Sequence, residues 1–467
     1  MFFKQFYLQG LGHASYLLGS EETGEAILFD PRRDVDAYFE TARMQGMRVR
    51  HALDSHGHND YLSGLTEVAE RGEIQLLASA EADVGFDHRA LRDGEQFELG
   101  EVGFEVMHTP GHTPEHISLL VYDQDASASE PALLLSGGAL LVGDLARPDL
   151  LGGREQAEAA AETFCHTIQT KILELPDHVE VFPTHVAGSL CGGNIGSRLS
   201  TTVGYERRTN EILARVSSKA EFVEQCLRLE DLPTVPPYWK RMREQNLAGV
   251  APLGVLREPP PLQPADFREQ AEGSAVVLDT RPPEAFGGGH VPGALNVGQG
   301  AAFPTWAGTV LDEGAEVLVV LDSPADLWPV TWNLLRIGYD APVGWLAGGM
   351  MAWRTAALDI EALAQITVHR LRELVERGEV EVLDVRQPAE WSAGHVEGAT
   401  FISGGELPSR LDDVPRRGKP IATICGSGYR SSVSASLIDA RTDLDVINVL
   451  GGMSAWTAAG LPTTTEG

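Results

Sequence analysis

The sequence predicts a multidomain α/β protein, a larger N-terminal α/β domain followed by two copies of a smaller one built on a parallel sheet. Three observations carry this expectation. The first is length: 467 residues, at roughly 150 per domain, call for about three domains, each able to bury its own apolar core. The second is an internal repeat. Leu278–Val297 (LDTRPPEAFGGGHVPGALNV) matches Leu383–Ile402 (LDVRQPAEWSAGHVEGATFI), and GGMMAW at Gly348–Trp353 returns as GGMSAW at Gly451–Trp456. The third is alternation: short β-branched runs (Val276–Asp279 and Val317–Leu321, then Glu381–Asp384 and Ile421–Ile424) are separated by helix-length segments. That is the pattern of a doubly wound parallel sheet with helices on both faces. The domains are therefore expected at 1–250, 256–358 and 365–467. The Pro-rich Glu258–Pro264 reads as a linker, and the run Asp359–Thr367 separates the copies.

Composition narrows the function classes. Hydrophobic residues at 43% and charged residues at 22% are soluble-globular values, which exclude a mainly disordered, collagen-like or membrane-spanning chain. A net charge of −31 repels phosphate backbones and anionic bilayers, so neither nucleic acid nor a membrane is an expected partner. The opening MFFKQFYLQGLGHASYLLG lacks a basic region leading into an apolar run, and no later stretch approaches the ~20 apolar residues that span a bilayer. The expectation is a cytoplasmic protein. Cys165, Cys191, Cys226 and Cys425 form no CxxC pair, as suits reduced thiols. The sequence leaves the oligomeric state open, a homo-oligomer included.

In the N-terminal domain, strand-like runs (Phe2–Leu8, Ala14–Leu18, Ala26–Phe29) lead into strands that end in polar clusters, with a helical segment at Arg154–Leu173. Ten of the 14 histidines lie between His51 and His185, most of them at the ends of apolar runs, where loops display functional groups. A short strand, Arg50–Leu53, precedes SHGHNDYLSG, which puts His56, His58 and Asp60 on one tight turn. HTPGHTPEH supplies His108, His112 and His116, an apolar run ends in Asp144, and His185 follows in FPTHVAGSLCG. Neutral imidazoles with a carboxylate are what a divalent first-row metal needs, and three on one face leave positions open for substrate.

In the second small copy, Ile421–Ile424 runs into Cys425, Gly426, Ser427, Gly428, Tyr429 and Arg430. A cysteine leaving a buried strand into a Gly-rich loop that opens a helix meets backbone N–H groups, which favour a thiolate nucleophile. Arg430 closes a C-x4-R ring whose size fits one terminal sulfur. The first copy has Asp322 in place of Cys425 and Leu327 in place of Arg430, so it is expected to be catalytically inactive and to serve positioning or an interface.

The HxHxD turn with the later His112, Asp144 and His185 resembles the metallo-β-lactamase superfamily over about residues 1–230, which implies an αββα sandwich. Tyr61 stands where the family pattern HxHxDH ends in histidine, and a neutral phenol is a poor metal ligand. The departure points to one metal in place of the two zinc ions of the hydrolytic members. Among single-metal members the sequence looks most like the persulfide dioxygenases. Carried over, that resemblance implies one Fe(II) per chain held by His56, His112 and Asp144. His58 and Asp60 would orient those ligands or hydrogen-bond a substrate, with zinc ligation by them a rival. His185 would line the pocket beside Tyr61. Arg147 would bind a substrate carboxylate or serve structure, and Cys191 would be core or touch a persulfide.

The Cys425 loop, with DVR, GHVEGA and GGMSAW, resembles the rhodanese sulfurtransferases. The whole chain is then similar to persulfide dioxygenase–rhodanese fusions. This implies oxidation of small-molecule persulfides by dioxygen to sulfite and thiol, and sulfur transfer at Cys425 to or from sulfite, thiosulfate or thiols, in sulfide detoxification. The rivals are a binuclear zinc thioesterase of the glyoxalase II kind fused to sulfurtransferase modules, and a persulfide sensor or carrier without catalysis. The sequence does not identify the thiol carrier, whether glutathione, coenzyme A or bacillithiol.

Overall fold

The computed structural model describes residues 1–228 and 232–465. They form two compact units, 1–232 with 239–255, and 233–238 with 256–467.

The first unit is built on two six-stranded sheets. One runs Phe2–Leu8, His13–Gly19, Glu25–Phe29, Arg48–Leu53, Gln75–Ser79 and Arg89–Leu91 in spatial as in chain order. The other runs Gln96–Leu99, Val102–His108, Ile117–Asp123, Leu133–Gly137, Glu180–Pro183 and Thr201–Thr202. The alternation of side chains along each strand explains the layering. Ala14, Tyr16 and Leu18 of one sheet and Leu119, Val121, Leu133 and Leu135 of the other share one core. Their neighbours face outward: Leu17 packs with Tyr38 and Ala42 of the helix Asp36–Met44, and Leu120 and Leu134 pack with Phe164 and Ile168. A one-residue slip would exchange these faces, so the apolar pattern fixes the register. The result is a helix–sheet–sheet–helix sandwich, the αββα arrangement. The segment expected as one helix over Arg154–Leu173 is α-helical at Arg154–Thr167 and widens into a π-helical turn at Ile168–Ile172.

The second unit contains the repeat twice. Strand order in the first copy is Pro261–Leu262, Gly344–Leu346, Val317–Val320, Val276–Asp279, Leu295–Asn296, and in the second Ala364–Ile366, Val446–Val449, Ile421–Ile424, Glu381–Asp384, Thr400–Phe401. Every pairing is parallel. Motif residues shared by the copies do the same work in each. Arg281 clamps Asp279 and reaches the Gly289 carbonyl at 3.0 Å, and Arg386 clamps Asp384 and reaches Gly394 at 2.8 Å. The tryptophans of the GGMxAW motifs, Trp353 and Trp456, are buried and donate from Nε1 to the carbonyls of Asp359 and Pro462. No helix among the described residues is long and apolar enough to cross a membrane.

Candidate functional site

The turn after Arg48–Leu53 is held by Asp30, which directly follows the strand Glu25–Phe29. Its carboxylate accepts from the Ser55 amide and hydroxyl and from Thr184, and lies 3.1 Å from His58 Nε2. Two further residues lock this turn, only one of them outside the motifs. Asn246, on the helix Trp239–Ala248, donates to the carbonyls of His58 and Tyr61, both at 2.9 Å, and accepts from the Ser63 amide. Glu115, the glutamate of PGHTPEH, accepts from the Gly57 amide at 2.9 Å and is itself held by Arg243 at 2.7 Å. These clamps join the HxHxD turn to the second histidine cluster.

The histidines then separate by what their nitrogens already do. His116 is used up: Nδ1 meets Thr109 Oγ1 and Nε2 accepts from the Gly138 amide, both at 2.8 Å. His108 meets the Pro114 carbonyl with Nε2. His112 gives Nδ1 to the Arg147 carbonyl at 2.8 Å, which leaves a buried Nε2 with no hydrogen-bond partner. The Nε2 atoms of His56 and His185 lie 3.3 Å apart. Each of the three offers a ligand atom within 4.8 Å of the others. Burial, with His185 as neighbour, pushes the His112 pKa down to about 3, and burial likewise holds His56 neutral. His185 differs: burial opposes its charged form, but Cys191 and Asp60 raise its pKa. Two neutral buried imidazoles converging with a third on one point are a fit for a divalent cation, whose charge would replace the proton on His185.

The grouping differs from the expected one. His185, read from the sequence as a pocket residue, completes the set with His56 and His112, and Asp144 does not. The Asp144 carboxylate is turned onto the amides of Leu145 and Asn194, at 2.9 and 2.7 Å, by the loop that follows His185. A second group, His58, Asp60 and His185, overlaps the first; Asp60 Oδ2 is 3.4 Å from His185 Nδ1. Burial opposes the charged form of His58, but Asp30 raises its pKa. Tyr61 belongs to neither group: its ring packs on His13 and His58, and its hydroxyl points to the Asp30 carbonyl. Arg147 makes a two-pronged pair with Asp149, at 3.0 and 2.7 Å. Cys191 is fully buried, tied through its carbonyl to the Arg147 amide.

In the second unit, Cys425 is buried at the end of Ile421–Ile424. Gly428, at φ +103°, turns the chain into the 13-residue helix Tyr429–Arg441 and aims its amide at Cys425 Sγ, 3.2 Å away. GGMSAW supports the loop from behind. The amides of Met453 and Ser454 donate to the carbonyls of Cys425 and Gly426, and a Cβ at Gly452 would lie 2.2 Å from the Cys425 oxygen. Only glycine permits that approach. The Arg430 guanidinium lies against Gly426 and is held in a bidentate pair by Glu390 at 2.6 and 2.7 Å, a partner that no sequence motif marks. The first copy differs at this loop: Asp322 is exposed, and Ser323 and Asp326 cap each other's backbone amides ahead of Leu327–Arg336.

Comparison with known proteins agrees with both halves. The model of the rhodanese-like domain matches twice, at residues 263–356 and 367–459, and that of the metallo-beta-lactamase superfamily at 8–126. A solved metallo-beta-lactamase from Staphylococcus aureus is 32% identical and superposes with a TM-score of 0.66, covering 74% of this chain and 98% of its own. The persulfide dioxygenase ETHE1 of Bos taurus is 29% identical over 181 residues, 37% of this chain and 63% of that protein. A hydroxyacylglutathione hydrolase of a Polaromonas species is 30% identical over 175 residues, 37% of this chain and 61% of its own. The chain thus spans less than two thirds of the length of these two curated relatives. It belongs to the metallo-β-lactamase superfamily, as a fusion in which a superfamily domain with relatives among the ETHE1 persulfide dioxygenases is followed by two rhodanese-like domains.

Proposed function

We propose that the chain oxidises a low-molecular-weight persulfide with dioxygen and passes sulfane sulfur through Cys425. The observation that carries this reading is the presence, in one chain, of a buried imidazole set fit for a metal and a buried cysteine beneath a helix-opening loop. The first reaction balances as RSSH + O2 + H2O giving RSH and sulfurous acid. His56 and His112 would hold a single Fe(II), with Asp144 as third ligand once its carboxylate turns from the Asn194 amide toward them, and the metal would supply dioxygen activation. A carboxylate has about four lone-pair sites, so Asp144 retains capacity beside its two backbone donors. Asp30, Asn246 and Glu115 hold the turn that presents His56.

In the second reaction the Cys425 thiolate attacks the outer sulfur of RSSH, the S–S bond breaks, and RSH leaves with the proton. Sulfite then takes that sulfur as thiosulfate and restores the thiolate. Arg430, aligned by Glu390, offsets the added negative charge.

A second reading, hydrolysis of glutathione thioesters at two metals, draws support from the overlapping group His58, Asp60 and His185 and from the hydroxyacylglutathione hydrolase similarity. Protein purified without air separates the two. One iron per chain and oxygen uptake on adding a persulfide are expected. Two zinc ions with thioester hydrolysis and no uptake would replace the first reading by the second. His112→Ala should abolish iron retention and oxygen uptake and spare sulfur transfer.

A further inference from the structure

Away from both sites, the seam between the two rhodanese copies gathers His290 of the first copy, Glu361 of the connecting segment and Asp439 of the helix Tyr429–Arg441. Each offers a ligand atom within 4.8 Å of the other two. His290 is 1% exposed, its ring stacked on Phe286 at 3.7 Å between centroids. Its Nδ1 lies 3.0 Å from the Phe286 carbonyl. A nitrogen facing a carbonyl must carry the proton, so in the neutral ring Nε2 keeps its lone pair for a ligand. An imidazole fixed through one nitrogen by a backbone carbonyl is how metal-binding histidines are commonly oriented.

Glu361 is held in place as well. Glu361 and His290 bond each other's backbones in both directions, at 2.9 and 3.1 Å, and Glu361 Oε2 accepts from the Gly293 amide at 3.0 Å. Asp439 arrives from the other copy. Burial raises its pKa, His290 opposes that, and Glu361 and Asp445 add to it. Burial lowers the pKa of His290, against the proton that would otherwise neutralise the group. Glu361 and Asp439 favour a positive charge at His290, which a bound cation would supply in place of a proton.

The second copy supplies an internal control. His395 stacks on Trp391 and meets its carbonyl just as His290 does with Phe286, but its bridging partner is Thr464 in place of Glu361. The stacked histidine belongs to the repeat; the acids are particular to the seam.

We propose that His290, Glu361 and Asp439 form a divalent-cation site, with zinc the fitting ion, that staples the first copy to the helix that opens on Cys425. One nitrogen and two carboxylate oxygens suit zinc, with water in the fourth tetrahedral position. The site gives the first copy a role that needs no cysteine.

The test uses the full chain and zinc itself. Wild type, Glu361→Gln and Asp439→Asn are equilibrated with buffered free zinc, desalted and analysed for zinc per chain. Both substitutions keep side-chain size at exposed or half-exposed positions, and near-ultraviolet circular dichroism verifies that packing is intact. The wild type should hold one zinc more than either variant, and His112→Ala should keep that zinc. Added zinc should raise the unfolding midpoint of the wild type above its shift in the variants. Equal zinc in wild type and both variants overturns the proposal, as does a wild-type excess that appears only at millimolar free zinc.

Discussion

The two rhodanese copies share strand order, the Asp–Arg clamp, the stacked histidine and the anchored tryptophan, yet at one loop they solve the same local problem differently. Both must satisfy the backbone amides that open a helix after a buried strand. In the second copy Gly428 offers its amide to Cys425 Sγ. In the first, Ser323 Oγ accepts from Ala325 and Asp326 accepts from Ser323. The scaffold therefore does not depend on the loop at Cys425: residues that hold the sheet and its helices lie elsewhere, so the loop can be either a cradle around a thiol or a self-capped turn.

The largest effect should follow from removing the sulfur. Cys425→Ser replaces an ionisable thiol by a hydroxyl that stays protonated and should lower sulfur transfer at least about 10^3-fold. Oxygen uptake should persist while products shift from thiosulfate to sulfite; an unchanged product ratio would show that thiosulfate does not form through Cys425. Next comes Glu390→Gln, which keeps size but removes the charge that aligns Arg430. Hydrogen bonds to charged groups are worth about 1.5–3 kcal/mol, so transfer should fall roughly tenfold or more, with Arg430→Lys no better than Glu390→Gln. The smallest effect should be in the first copy. Asp322→Ala, at an exposed position, should leave stability within about 0.5 kcal/mol and transfer within assay error. Asp322→Cys on a Cys425→Ser background should restore no transfer, because the amides it would need are already capped by Ser323 and Asp326; recovered activity would show that the cysteine alone makes the site.

Much of this was legible in the sequence, for identifiable reasons. The repeat was visible because the same motif residues meet the same contacts in both copies. Strands such as Val276–Asp279, Glu381–Asp384 and Ile421–Ile424 were read to the residue because buried parallel strands are continuous β-branched runs. The metal-fit histidines were visible as loop clusters. What the sequence withheld is which nitrogens are already occupied: His116 and His112 stand four residues apart in one motif, and only the fold shows that His116 is used up by Thr109 and Gly138. The turning of Asp144 onto the backbone of Asn194, the joining of His185 to His56, and the clamps from Asn246, Glu115 and Glu390 all depend on partners far along the chain. No local pattern encodes them.

The helix Tyr429–Arg441 has one more consequence. Beyond opening on Cys425, it buries Ser432, whose hydroxyl bonds Asn296 of the first copy at 2.6 Å, and Ser436, which accepts from the Asn296 amide at 2.9 Å; Tyr429 donates to the Gly298 carbonyl at 2.8 Å. A helix whose hidden face is hydroxyl-rich cannot be lifted out of its surroundings as a greasy one can, since every serine left behind needs a replacement partner. Trimming the chain to a solitary C-terminal module would leave the Ser432 and Ser436 hydroxyls and the Tyr429 phenol without their partners in the first copy.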